Sequence, residues 1–142
     1  MTEPTLEDFR ALLAAAEAVK EHAYAPYSRF RVGAAVLTKS GQRFVGCNVE
    51  NASFGLTLCA ERVALTSAVA AGEREFLAVA IATDKDEPVS PCGACRQVLA
   101  EFGPDMTVVL PGKNGPSLRP LDSLLPSGFG PADLPPPRRD AP

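Results

Sequence analysis

Apolar residues at Leu6, Phe9, Leu13, Ala16 and Val19 recur at helical spacing. Just before them, Thr5 and Asp8 place a hydroxyl and an acid three residues apart, the start of a capping box. The pattern predicts a helix over residues 6–23, ended by Ala25-Pro26 because a residue before proline avoids helical angles. Two short apolar runs follow, over 32–37 and 43–47, with a turn-rich Thr38-Lys39-Ser40-Gly41-Gln42 between them, and together they predict a β-hairpin. After a loop over 48–58, residues 59–71 read as a helix of small side chains closed by Gly72. The run FLAVAIAT over 76–83 predicts a strand covered on both faces. Pro91 suits the first turn of a further helix, which runs to about Phe102 and stops at Gly103-Pro104. Residues 106–110 predict another buried strand. Such alternation of helices and strands favours a layered α/β fold with a mixed sheet.

Beyond Pro111 the pattern fades. Ten of the 14 prolines lie from Pro104 onward, and residues 135–142 read as a disordered, proline-rich tail. A chain of 142 residues fits one domain with a sizeable core, assigned here to residues 1–134, and no internal repeat is visible. Hydrophobic residues make up 46% and charged residues 22%, ordinary for a globular protein. The net charge of −3 lacks the basic footprint of a nucleic-acid binder, so a free small molecule is the expected partner. The N-terminal stretch is acidic without an apolar signal core, and no apolar run is long enough to span a bilayer. The expected location is the cytoplasm, with no membrane partner.

In a reducing compartment, four cysteines and one histidine suggest metal or redox chemistry rather than a disulfide framework. Cys92 and Cys95 share one face at a helix start, where the helix dipole favours thiolate over thiol. A CxxC pair alone also suits a redox dithiol, but the early βαβ setting of a thioredoxin-like motif is missing. Cys59 stands at the start of the preceding helix. Three thiolates from two helix starts would hold zinc and leave the fourth position to water, whose pKa zinc lowers from 15.7 toward about 7. Glu61, two residues from Cys59, is placed for general acid–base work. A closed structural zinc site would need a fourth ligand, for which Cys47 and His22 are the remaining candidates. Cys47 on its strand otherwise reads as a small buried hydrophobe, and His22 as a partner of the first helix's C-terminal dipole.

Cys59-Ala60-Glu61 followed by Pro91-Cys92-Gly93-Ala94-Cys95 resembles the cytidine deaminase family, and the resemblance runs from about Tyr24 to Leu134. It implies a three-layer α/β/α fold with a five-stranded mixed sheet. It also implies zinc-dependent hydrolysis of cytidine and deoxycytidine to uridine and deoxyuridine with release of ammonia, a pyrimidine-salvage reaction, with one Zn²⁺ per subunit on Cys59, Cys92 and Cys95. Glu61 is then the proton shuttle. Three thiolates on one Zn²⁺ leave a net negative charge, which Arg62 would offset by bonding a thiolate; read alone, Arg62 is an ordinary helix-surface arginine.

The same resemblance assigns the remaining pocket. Asn48 and Glu50, within Asn48-Val49-Glu50-Asn51-Ala52, would grip the ribose; period-two geometry puts both on one side, although the segment alone is only a polar loop. Phe30, within Tyr27-Ser28-Arg29-Phe30-Arg31-Val32-Gly33-Ala34-Ala35, would pack against the base, and backbone carbonyls near Ala60 and the Pro91–Cys92 turn would accept from its amino group. Phe129, within Ser127-Gly128-Phe129-Gly130-Pro131, with Asp133 and Leu134 beyond, resembles the ending of the family's small-subunit tetrameric members. It would reach a neighbouring subunit's pocket, which implies a homotetramer with shared sites. Phe54 stands where many relatives carry tyrosine, so a phenol contact across a subunit interface is lost. Two rival deaminase substrates, an aminopyrimidine antibiotic nucleoside and a nucleic acid, fit less well.

Overall fold

The computed structural model describes residues 1–136. Its first helix, α1 (Leu6–Lys20), opens on the expected box: the Thr5 hydroxyl accepts the Asp8 N–H at 3.3 Å and the Asp8 carboxylate accepts the Thr5 N–H at 2.7 Å. The helix stops three residues earlier than its periodicity predicts. The N–H groups of His22 and Ala23 bond carbonyls three residues back, Val19 and Lys20, both at 3.0 Å. This tightened turn closes the helix ahead of Pro26.

The predicted hairpin forms from β1 (Val32–Thr38) and β2 (Arg43–Cys47), in register from Gly33 opposite Cys47 to Leu37 opposite Arg43. On its other edge β1 pairs antiparallel with β3 (Phe76–Thr83), reached through α2 (Ala60–Ala70). A crossover through α3 (Gly93–Phe102) brings β4 (Thr107–Leu110) parallel to β3. An antiparallel β5 (Ser117–Pro120) and a short α4 (Leu121–Leu124) follow. The sheet is therefore five-stranded and mixed, in the order β2-β1-β3-β4-β5.

Alternation along the strands divides the core in two. Ala35 and Leu37 of β1, with Ala78, Ala80 and Ala82 of β3, pack under Phe9, Leu12 and Ala16 of α1. Ala34, Val36, Val79 and Ile81 point the other way, onto Ala64, Leu65 and Ala68 of α2 and Leu99 of α3. Helices on both faces make the expected three layers. The small side chains let the layers approach closely, and Gly46 of β2 is the extreme case. A Cβ there would lie 2.4 Å from the Ala64 nitrogen and 2.7 Å from the Ala60 carbonyl oxygen, so the first turns of α2 rest directly on β2 backbone.

Three expectations are corrected. Pro91 is not in the first turn of α3; Cys92 is the N-cap and Pro91 precedes it. Cys59 likewise caps α2 rather than belonging to it. Both are extended residues whose carbonyls already accept the first intrahelical bonds, from Val63 at 3.1 Å and Arg96 at 3.0 Å. The third concerns β5 and α4, which the hydrophobic pattern does not predict. Of the expected tail, Pro135 and Pro136 carry no regular structure, and residues 137–142 lie outside the described part. Among the described residues no helix is long and apolar enough to cross a membrane.

Candidate active site

The N-termini of α2 and α3 meet at the carboxyl end of β3, the end of an α/β sheet where ligands commonly bind. Because Cys59 and Cys92 are the two N-caps and Cys95 lies in the first turn of α3, their sulfurs converge, all within 4.8 Å of one another. None is in a disulfide. Four-coordinate zinc with Zn–S bonds of about 2.3 Å separates its sulfurs by about 3.8 Å, so the donor set fits that ion by type and spacing. The electrostatics agree. Burial pushes the Cys95 thiol up, and the Glu61 carboxylate and the neighbouring sulfurs add to this. Burial also opposes ionisation of Cys92, but the Cys95 N–H and thiol outweigh it and draw Cys92 below the ordinary cysteine value. A divalent cation removes the conflict between the three sulfurs by pairing with them.

A cavity of about 240 Å³ opens over this cluster, walled by Phe30, Asn48, Ala60, Glu61 and the two N-cap cysteines. Cys95 is fully buried beneath it. Glu61, in the first turn of α2, is only 5% exposed. Burial holds its carboxyl above the usual range, against the pull of its own N–H, the Cys95 thiol and Arg62. A carboxyl so placed holds a proton more readily than a solvated one, as a group that must accept and return one requires. Arg62, the next residue of α2, donates from Nη2 to Cys59 Sγ at 3.3 Å.

Asn48 and Glu50 flank Val49 on a strand-like extension bridged to Tyr24 and Leu58. Their polar atoms already have partners. Asn48 Oδ1 accepts the Val32 N–H and Nδ2 donates to the Phe30 carbonyl, both at 2.9 Å. Glu50 accepts the N–H groups of Tyr27 (2.9 Å) and Ser28 (3.1 Å) and the Ser28 hydroxyl. The hydroxyl is foremost in holding the Glu50 carboxyl below its usual range. Glu50 does not line the cavity over the sulfurs; it lines an adjoining depression with Tyr27, Ser28 and Phe54. Thr57 borders both spaces.

Phe129 lies outside this cavity, exposed, with its carbonyl accepting Gln97 Nε2 at 2.8 Å. Cys47 and His22 do not join the sulfur cluster among the described residues. The Pro91 carbonyl accepts Arg96 Nε at 2.7 Å. Sequence reasoning missed Thr57, Val89 and Ser90, which also wall the cavity. Their only signal was proximity in sequence to Cys59 and Pro91.

Residues 6–111 match the family model described as the cytidine and deoxycytidylate deaminase zinc-binding region. The chain is 46% identical over 129 residues to a cytidine deaminase of Halalkalibacterium halodurans, an alignment covering 89% of this chain and 98% of that one. A crystal structure of cytidine deaminase from Burkholderia pseudomallei superposes with a TM-score of 0.79 at 52% identity, covering 84% of this chain and 97% of that one. The cytidine deaminase structure from Mycobacterium tuberculosis gives 0.77 at 42% identity, covering 87% and 98%.

Proposed function

We propose, since the chain belongs to the cytidine and deoxycytidylate deaminase family, that it hydrolyses the exocyclic amino group of cytidine and deoxycytidine, giving uridine or deoxyuridine and ammonia. The observation that carries this reading is the convergence of Cys59, Cys92 and Cys95 beside a buried Glu61, under a cavity also walled by Phe30 and Asn48. Three sulfurs and an adjacent carboxyl are what a hydrolytic zinc site needs. Each subunit holds one Zn²⁺ in this reading.

When bound, zinc supplies a water acidified toward about neutral pKa. The rest is done by the chain. Glu61 accepts a proton from that water and delivers it to N3 of the base, which makes carbon 4 electrophilic. The water oxygen bonds carbon 4, and Glu61 carries the second proton to the amino nitrogen, so the carbon–nitrogen bond breaks as ammonia leaves. Phe30 packs against the base, and the Ala60 backbone borders it. Asn48 and Glu50 hold the sugar, Glu50 from the adjoining depression, with the acceptor sites that their bonds to residues 27–32 leave open. Arg62 offsets the charge of the thiolates.

Residues 1–134 act as one domain in this reading. An exposed Phe129 standing apart from its own chain's cavity supports a homotetramer in which that ring completes a neighbour's pocket. Four unpaired cysteines suit the reducing cytoplasm, and the reaction would serve pyrimidine salvage. An ultraviolet assay of purified protein with cytidine, deoxycytidine and an aminopyrimidine antibiotic nucleoside, beside zinc stoichiometry, tests the proposal. Turnover of both plain nucleosides with one zinc per chain is expected. Zinc-replete protein inert toward both would overturn it.

A further inference from the structure

Ser28 links two adjoining parts of the site by hydrogen bonds. Its hydroxyl donates to Glu50 Oε2 and accepts the Phe30 N–H at 3.1 Å. Glu50 looks into the depression assigned to the sugar, whereas Phe30 walls the cavity assigned to the base. The segment between them does not hold its shape unaided. Arg29 is left-handed, φ 57°, a region that residues with a Cβ seldom occupy. The turn is closed by the Arg29 N–H bonding the Ala25 carbonyl at 3.0 Å. The two hydrogen bonds of the Phe30 backbone itself run to Ser28 and to Asn48, whose Nδ2 donates to the Phe30 carbonyl at 2.9 Å, while Arg31 beyond it is tied to Asp84. The Ser28 side chain is exposed, so it makes no contribution to the core.

We propose that Ser28 is a positioning residue: its hydroxyl couples the Glu50 carboxylate to the Phe30 backbone, so that the sugar-side anchor sets the base-side wall. This rests on the deaminase reading above. Sugar bound at Glu50 steadies the acceptor to which Ser28 is tied, and Ser28 passes that order to Phe30. The reacting atoms are untouched, so losing the hydroxyl should weaken nucleoside capture without slowing the chemical step. Threonine at position 28 keeps the hydroxyl; alanine does not.

The test uses full-length zinc-loaded wild type, Ser28→Ala and Ser28→Thr, read by cytidine kinetics and by amide hydrogen exchange at Phe30. Ser28→Ala should raise KM about tenfold, the weight of one hydrogen bond to a charged group, with kcat within about twofold. Exchange at the Phe30 amide should rise by a similar factor, and Ser28→Thr should restore both. Unchanged KM, a fall in kcat alone, or failure of threonine to rescue would overturn the proposal. Wild type inert toward cytidine would overturn the functional reading instead, and exchange at Phe30 would still decide whether Ser28 ties that segment.

Discussion

Arg62 Nη2 lies 3.3 Å from Cys59 Sγ, and the same guanidinium's Nε is buried without a partner among the described residues. A cation is thus held against a sulfur of the three-cysteine cluster rather than turned to solvent, and that hydrogen bond is the foremost reason its proton is held more tightly than usual. Replacing Arg62 by glutamine should leave zinc content intact and lower kcat about tenfold, the worth of one charge-assisted bond. Metal analysis beside steady-state kinetics checks this; unchanged turnover would remove Arg62 from the charge balance.

Glu61 carries a cost as well as a function. With its carboxyl raised by burial, the fold favours the neutral form. Stability therefore falls as pH climbs through the unfolded value of about 4.3 toward the folded one. Metal-free Glu61→Gln should accordingly melt above metal-free wild type at pH 7, and the two should converge near pH 4. In zinc-loaded protein the same change should cut kcat by on the order of 10² to 10⁴. Retention of wild-type turnover would remove Glu61 from the proton pathway.

The four cysteines should separate cleanly. Cys92→Ser removes a donor from the cluster and should lose both zinc and activity. Cys47, outside the cluster, should tolerate serine with full metal content and turnover. Zinc loss in Cys47→Ser would point to a closed structural site.

Away from the cavity, Asp84 accepts the Arg31 N–H at 2.9 Å and pairs with the Arg31 guanidinium at 2.9 Å, while Arg31 also reaches Glu21 at 2.9 Å. The Arg31 contacts, the guanidinium bond first and the backbone N–H next, hold the Asp84 carboxyl below its usual value. Its stabilisation is therefore present above the unfolded value of about 3.9 and is lost as pH falls through the lower folded value. Asp84→Asn should melt lower than wild type at pH 7, and the gap should narrow as pH falls past the unfolded value of about 3.9 and on through the lower folded one. Both partners are partly exposed, so the effect should be small. A constant gap across that range would exclude the titration.

The sulfur cluster was legible in the chain because much of its spacing is local. Cys92 and Cys95 are the N-cap and third residue of one helix, and Cys59 and Glu61 the N-cap and second residue of another, so short spacings hold each pair together. The strands from Val32 to Leu110 were legible for the same reason, since long apolar or alternating runs report burial directly. β5 was not: only four residues long and ending at Pro120, it lies at a sheet edge, where a missing N–H is tolerated and no apolar run is required. The end of α1 was misplaced because apolar spacing continues past Lys20 while the backbone tightens. Nor could spacing tell that the acceptor atoms of Asn48 and Glu50 are shared with residues 27–32. That sharing depends on the turn at Arg29, which no periodicity encodes.

The meeting of two helix N-termini at the sulfur cluster also bears on how the chain folds. Cys59 caps one helix, Cys92 caps the other and Cys95 lies in its first turn, with the whole of β3 between them. A cation gripping all three closes that intervening stretch into a loop, as a disulfide would, and restricts the unfolded chain without oxidation. Zinc in this site is then a removable cross-link across the crossover. Its loss should loosen the seam between α2 and α3 well before it disturbs α1 on the far side of the sheet.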